Sequence, residues 1–175
     1  MNLIASATAV LALSLGLASP APSRPQGAPD DVREFIRGAG ESGQAEVAFA
    51  GVAQQKSQHG TVRELAARLE REHRAANQEL LTLAKAKRVE IPGLSTQSRA
   101  TQRKLEDLSG AAFDREYIGM MVKAHDASIA RFSAAVKSED AEVRALAVKT
   151  LPTLRAHMEG VERARKAIGG TDPPK

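Results

Sequence analysis

The sequence predicts an all-α fold, a four-helix bundle with one long crossover between its second and third helices. From Asp31 onward the apolar residues recur at spacings of three and four, and no stretch shows the alternation of a β-strand. Capping residues precede these periodic segments. The connection over residues 88–110 is too long for a tight antiparallel turn. It is expected to contain a short helix over residues 97–108.

The first predicted helix starts at Asp31 as N-cap, with Glu34 three residues later, and ends near Ser57. The second starts at a capping box formed by Thr61 and Glu64. The apolar face of the first helix contains Val32, Phe35, Ile36, Ala39, Gly43, Glu46, Ala50 and Ala53. That of the second contains Val62, Leu65, Leu69, His73, Ala76, Leu80 and Leu83.

The third long helix is predicted from about Asp114 to Lys137, and the fourth follows Asp140 as N-cap. Pro152 falls on the solvent side of the fourth helix, where a kink is tolerated. The apolar face of the third helix contains Ile118, Met121, Val122, His125, Ile129, Phe132 and Val136. That of the fourth contains Val143, Leu146, Ala147, Thr150, Leu154, His157, Val161, Ala164 and Ile168.

Four polar residues fall on these apolar faces, one on each long helix: Glu46, His73, His125 and His157. Each lies within about 40° of the centre of its face at 100° per residue. Glu46 and His73 are the same number of residues from the loop between their helices. His125 and His157 are nearly the same number of residues from the loop between theirs. Each pair therefore shares a level in an antiparallel hairpin. We therefore expect all four in one central layer of the core.

A carboxylate and three imidazoles buried in one layer must bind one another or a ligand, because an unpaired polar group in a core costs several kcal/mol. Together they are a ligand set for one Zn, Fe, Mn or Cu ion. Met121 and Met158 would add softer ligands for copper. Glu72 and Asp126, each beside one of the histidines, are expected to accept hydrogen bonds from the ligands.

A metal-free interpretation stands beside this one. A histidine on a core face is commonly a hydrogen-bonded structural residue, and a methionine there is commonly apolar filler. His59 is in a turn and is expected to be solvated. Glu70 stands three residues before His73, but it is about 80° from the centre of the apolar face, so this Glu-x-x-His is a weak metal signal.

Composition excludes several classes of protein. The chain has 175 residues, enough for one domain, and contains no Cys, which excludes disulfide scaffolds, thiolate metal sites and thiol catalysis. The formal net charge is +4, but acidic and basic residues interleave as on solvated helix faces. No nucleic-acid partner is predicted, because no basic stripe with aromatic residues is present. The sequence makes no prediction of the oligomeric state.

The N-terminus resembles a secretory signal peptide, with an uncharged apolar run from Leu3 to Ala18 followed by small residues. The run is shorter than the ~20 residues of a membrane-spanning helix, so no span is expected in the mature protein. We predict a signal peptide over 1–21, cleaved after Ala18 or Ala21, and a flexible spacer over 22–30. The bundle follows over 31–168, with a disordered tail over 169–175. A bacterial periplasmic or secreted location is expected.

Four segments carry a family resemblance: His73 with Glu72 before it and Leu80 after, Gly110 to Ile118, Met121 to His125, and Leu151 to His157. Together they resemble the "domain of unknown function 4142" family over about residues 31–168. The resemblance implies an exported bacterial protein, often labelled periplasmic or outer-membrane, with a ferritin-like four-helix bundle. Ferritin-like di-iron proteins use Glu on two helices and Glu-x-x-His on two others, whereas only Glu46 fits that pattern here, so a two-iron centre is not expected.

Together these observations predict an exported helical-bundle protein, non-enzymatic by default, with Glu46, His73, His125 and His157 as candidate ligands of one transition metal ion. One alternative is a metal-dependent redox or stress-protection enzyme. The other is an envelope interaction module in which the histidines form a pH-sensitive structural core.

Overall fold

The structure, a computed structural model, describes residues 27–169. Within them it contains five α-helices and no β-strand, which confirms the all-α prediction. The predicted signal peptide (1–21) lies outside the described residues, as do 22–26 of the spacer and 170–175 of the tail. The helices are α1 (Asp30–Lys56), α2 (Gly60–Lys87), α3 (Thr96–Asp107), α4 (Gly110–Ala135) and α5 (Ala141–Ala167).

The four long helices form two antiparallel hairpins, α1 with α2 and α4 with α5, because each pair is joined by a short loop. The hairpins pack together through α1 on α4 and α2 on α5. At one end Lys87 Nζ lies 2.5 Å from Asp140 Oδ2, and at the other Ser57 Oγ donates to Asp114 Oδ1 at 2.5 Å. The end of α2 therefore meets the start of α5, and the end of α1 meets the start of α4.

The connection from α2 to α4 carries α3 along the side of the molecule. It starts at the end where α2 stops and finishes at the opposite end, where α4 begins, so it spans the length of the long helices. α3 packs on α1 and α4 and buries Leu105. This helix covers residues 96–107, whereas 97–108 were predicted. The Ser95 hydroxyl caps the helix by accepting a hydrogen bond from the Ser98 N–H.

The core consists of two apolar clusters on either side of a polar layer. One cluster contains Leu69, Met121 and Val161, and the other contains Leu80 and Phe132. Along α2, α4 and α5, the residues between the two clusters include one histidine each. The apolar clusters hold the helices together, and the polar layer between them is where the candidate site lies.

The helix starts differ from prediction at three of the four long helices. α1 begins at Asp30, inside the predicted spacer, with Pro29 as N-cap, so Asp31 is not the cap and lies in the first turn, where its charge suits the helix dipole. α2 begins at Gly60 and the predicted Thr61 capping box does not form, because the His59 carbonyl already accepts from two N–H groups. α4 begins at Gly110, which places Asp114 inside the helix.

The start of α5 follows the prediction. The Asp140 carboxylate accepts from the backbone N–H groups of Glu142 and Val143, each at 3.1 Å. Pro152 is exposed, as expected for a proline inside a helix. Among the described residues, no helix is both long enough and apolar enough to span a bilayer.

Candidate metal centre

The four candidate ligands meet in the polar layer of the core. Glu46 comes from α1, His73 from α2, His125 from α4 and His157 from α5, and all four are buried. Each stands at a position of its helix where the spacing of three and four turns the side chain inward. Each hairpin therefore supplies two of the four side chains.

The imidazole cluster, defined as His73, His125 and His157, is a nearly equilateral triangle. The three ring centroids lie 5.0, 5.4 and 5.6 Å apart, and one ligand nitrogen from each ring lies within 4.8 Å of the others. Three nitrogens bound to one zinc ion at 2.0–2.1 Å would be about 3.5 Å apart. The rings therefore need to approach by only about 1.3 Å at most to share an ion, a movement within reach of side-chain rotation.

The His125 ring has one buried nitrogen that makes no hydrogen bond within the described part of the chain. Its Nδ1 lies 3.0 Å from the backbone carbonyl oxygen of Met121, which can only accept, so Nδ1 carries the proton and donates. The other nitrogen, Nε2, then holds a lone pair and is buried without a hydrogen-bond partner. An unpaired buried acceptor of this kind is a ready metal ligand.

His157 also has a ring nitrogen with a free lone pair, and in this ring it is Nδ1. Its Nε2 donates to Glu72 Oε2 at 2.7 Å, which leaves Nδ1 with the lone pair, buried and without a partner. Glu72 also accepts from Arg68 Nε at 3.0 Å, so its carboxylate is held from the surface side. Metal-binding histidines almost always donate their other ring N–H to a carboxylate, a backbone carbonyl or a water.

Glu46 provides negative charge beside the imidazole cluster. Its Oε2 lies 3.1 Å from His73 Nε2 and 3.5 Å from His125 Nδ1. The angle at the 3.1 Å contact does not suit a hydrogen bond, and both atoms lack a hydrogen-bond partner. Its other oxygen, Oε1, accepts from Ser42 Oγ at 3.3 Å, and Ser42 Oγ lies 3.4 Å from Ser128 Oγ.

Burial and neighbouring charge shift the pKa values of the layer. Burial lowers the pKa of His157 to about 4, since the hydrogen bond that its ring donates to Glu72 only partly offsets desolvation of the imidazolium. Burial lowers the pKa of His125 in the same way, and the Glu46 charge offsets part of that change. For Glu46, burial raises the pKa, but His73 and His125 together outweigh it and leave the pKa below its usual value. Two of the three imidazoles are therefore neutral near pH 7, the form that binds a metal.

A cavity of about 40 Å³ adjoins the site and is lined by Glu46, Glu72, His73 and His157 among others. A volume of ~10–15 Å³ on this measure holds one water molecule, so the cavity has room for an ion with a few waters. His125 does not line the cavity, and its side chain is fully buried.

The other residues singled out in the sequence lie elsewhere. Asp126 is exposed and accepts no hydrogen bond from a histidine among the described contacts. The prediction that it accepts a hydrogen bond from a ligand is therefore wrong, because the position after His125 on the helix faces solvent. Glu70 binds Arg74 and Gln54 outside the layer, as its angle on the helix predicted. Met121 is buried in an apolar cluster, and it is its carbonyl that contacts His125.

Met158 is half-buried next to His157 in sequence, and no contact of its sulfur with the imidazole cluster is described. His59 is the N-cap of α2 and lies outside the layer.

Three polar residues close to Glu46 were missed by sequence reasoning. Ser42 and Ser128 lie beside Glu46, and Ser42 stands four residues before it, a helical spacing that could have signalled the contact. The Tyr117 hydroxyl is buried without a partner, and burial together with the Glu46 charge raises the Tyr117 pKa well above its usual value. Tyr117 is the chain's only tyrosine, and the chain has no tryptophan.

Comparisons with known proteins agree with the fold. A family model described as "Domain of unknown function (DUF4142)" matches residues 17–164. No curated protein sequence is significantly similar to the chain.

Three solved structures share the fold at low sequence identity, all below 25%. A DUF305 fragment from Deinococcus radiodurans has a TM-score of 0.70 at 17% identity, over 83% of this chain and 100% of that chain. A secreted DUF305 protein from Streptomyces coelicolor has a TM-score of 0.68 at 16% identity, over 83% of this chain and 98% of that chain. CopM in its Cu(I)-bound form has a TM-score of 0.66 at 21% identity, over 79% of this chain and 98% of that chain.

Proposed function

The chain belongs to the DUF4142 family, and we propose that it binds a single transition metal ion at the imidazole cluster, with Glu46 as the compensating carboxylate. One observation carries the proposal. Three imidazoles from three helices place ligand nitrogens within 4.8 Å of one another, and two of those rings have a buried nitrogen whose lone pair has no partner. Buried polar atoms are almost always satisfied, and a cation held between the rings would satisfy both of these acceptors.

Glu46 fits this function through its charge. A carboxylate buried without a cation costs several kcal/mol, and its Oε2 has no hydrogen-bond donor in the described structure. An ion held by the three rings would sit beside this oxygen, which lies 3.1 Å from His73 Nε2. Glu46 then acts either as a fourth ligand or as the counter-charge of a three-coordinate ion.

The donor set favours copper or zinc over iron and manganese. Imidazole suits Zn, Cu and Fe, whereas Mn sites are richer in carboxylates. Among the first-row divalent ions, Cu²⁺ binds most tightly to nitrogen and oxygen sites, and Fe²⁺ and Mn²⁺ bind least tightly. The likeness of fold to CopM in its Cu(I)-bound form supports copper as the first ion to test. No sulfur joins the imidazole cluster in the described contacts, so the ligand set rests on nitrogen and oxygen.

The finer architecture and the location belong to the same proposal. Two hairpins joined by a connection that spans their length support a ferritin-like four-helix bundle with a crossover, filling 31–168. The apolar run from Leu3 to Ala18 supports export to the periplasm after removal of residues 1–21, with the spacer and the 169–175 tail flanking the bundle. A metal-binding role in the cell envelope follows.

Metal content and stability test the function. Untagged protein from a periplasmic extract is assayed for Cu, Zn, Fe and Mn, then stripped with chelator and melted with each ion. Binding at 100 times Kd stabilises the fold by about 2.7 kcal/mol, so one of these ions is expected to raise Tm by several degrees. His73→Ala, His125→Ala and His157→Ala are each expected to abolish the shift.

The matched control is His59→Ala, which removes a histidine outside the layer and is expected to keep the shift. Less than about one tenth of an ion per chain, together with an unchanged Tm for every ion, would overturn the proposed function. A peroxide-dependent change in the absorbance of the metal-loaded protein would extend binding to redox chemistry.

A further inference from the structure

The cavity beside the site opens on one side of the molecule. Its lining residues come from four helices, but those contributed by α1 and α4 are all buried. The lining residues that keep some exposure belong to α2 and α5 alone, and they are Glu72, Ala76, Asn77, Leu146, Thr150 and Thr153. Solvent therefore reaches the cavity through the seam between α2 and α5, which these six residues define.

We propose that the metal ion reaches the imidazole cluster through this seam, with Glu72 as the carboxylate that first receives it and His125 as the last ligand to bind. This inference rests on the proposed function. The Glu72 side chain is 28% exposed and touches the buried His157, so it is the one acidic group that joins the surface to the cluster along this route.

A second opening exists on the opposite side, but it reaches no imidazole. A cleft of about 320 Å³ between α1, α3 and α4 is lined by Ser42, Glu46, Ser98, Ala124 and Arg131 among others, and it includes none of the three cluster histidines. Ions approaching from that side meet the carboxylates of Glu41 and Glu46 but no histidine. The seam leads directly to His157, His73 and Glu46.

The small size of the seam cavity sets a condition on the ion. A cavity of about 40 Å³ holds roughly three water molecules. An ion with six bound waters therefore does not fit and must lose part of its hydration shell. The hydroxyls of Thr150 and Thr153, the Asn77 amide and the Glu72 carboxylate line the route and can replace those waters. Mg²⁺ gives up water reluctantly, so the seam discriminates against it.

His125 binds last because of its position. It is fully buried, lines neither opening, and is held by its bond to the Met121 carbonyl. An ion entering through the seam meets Glu72 and His157 before it reaches the far side of the layer. The sequence of contacts thus runs from α2 and α5 toward α4.

Binding kinetics test the route, because a blocked route slows arrival and departure together and leaves the equilibrium unchanged. Cu²⁺ is mixed with the chelator-stripped full chain in a stopped-flow instrument, with Tyr117 emission as the signal. Ala76→Leu fills the seam from α2, and Thr150→Leu fills it from α5, so the test survives if one variant misfolds. Both are expected to slow association and dissociation by about tenfold while Kd stays within about twofold.

The matched control is Ala124→Leu, which narrows the opposite cleft and is expected to keep the wild-type rates. Circular dichroism checks that each variant is helical. Wild-type rates in folded seam variants, or slower rates in Ala124→Leu, would overturn the route while leaving the proposed function intact. Absence of Cu²⁺ binding to the wild-type chain would overturn both, and the equilibrium titration separates the two failures.

Discussion

Nε2 of His157 lies 2.7 Å from Oε2 of Glu72, a contact between residues 85 positions apart in the chain. This hydrogen bond fixes the proton on Nε2 and leaves Nδ1 with the lone pair, buried and without a hydrogen-bond partner among the described residues. Without it the ring could present either nitrogen to the core. One surface-linked carboxylate on α2 thus decides which atom of α5 is ready to bind an ion.

Replacement of this carboxylate by an amide tests the relationship. Glu72→Gln keeps the side-chain volume but weakens the hold on the His157 proton, so we expect metal affinity to fall about 10–100-fold. Competition with a chromophoric chelator measures the change.

The matched control is Glu70→Gln, which breaks the ion pair between Glu70 and Arg74, four residues apart on α2. Glu70 touches no cluster histidine among the described contacts. Equal affinities of the two variants would show that Glu72 does not orient the ligand.

The charge of Glu46 is expected to matter more for divalent than for monovalent ions. Glu46→Gln removes one negative charge beside the cluster, and the Coulomb energy lost is about twice as large for an ion of charge +2 as for one of charge +1. We expect Zn²⁺ and Cu²⁺ affinity to fall more steeply than Cu⁺ affinity in anaerobic competition titrations. An equal loss for all three ions would place Glu46 away from the bound ion.

The metal-free protein is expected to lose stability as pH falls from about 6.5 to about 4. The pKa of His157 is about 4 in the folded chain against an ordinary value of 6.5, so between these limits the unfolded chain binds more protons and acid favours unfolding. The full loss from this residue is about 3 kcal/mol, and the lowered pKa of His125 adds in the same direction.

Urea unfolding at a series of pH values, with chelator present, measures this slope. His157→Gln is expected to flatten it, because the variant has no imidazole to protonate at that position. A free energy of unfolding that stays constant over this pH range in the wild-type chain would contradict a neutral buried His157.

Two glycines of α1 are expected to respond in opposite ways to alanine. A Cβ at Gly51 meets no atom within 4 Å, so Gly51→Ala should stabilise the helix by about 0.5–1 kcal/mol. A Cβ at Gly40 would meet the Ile91 side chain of the connection, so Gly40→Ala should destabilise by about 1 kcal/mol or more. Thermal melting of the two variants checks the sign of each effect.

The fold class and the inward direction of the four polar residues could be predicted because both depend on local periodicity. A spacing of three and four residues turns Leu69, His73 and Leu80 to one side of α2 whatever they pack against. The helix starts were less predictable. Thr61 and Glu64 have the spacing of a capping box, yet the chain begins α2 at Gly60, because the His59 carbonyl takes the first N–H groups.

The sequence by itself determined that one acid and three imidazoles face the core at one level, since helical periodicity and short loops set angle and height. Only the tertiary structure decided which nitrogen of His125 and of His157 is free, that Glu72 accepts from a histidine of another helix, and that Asp126 faces solvent. It also decided where the core opens. Those features depend on contacts between hairpins far apart in the chain, such as Glu72 with His157, which no local pattern encodes.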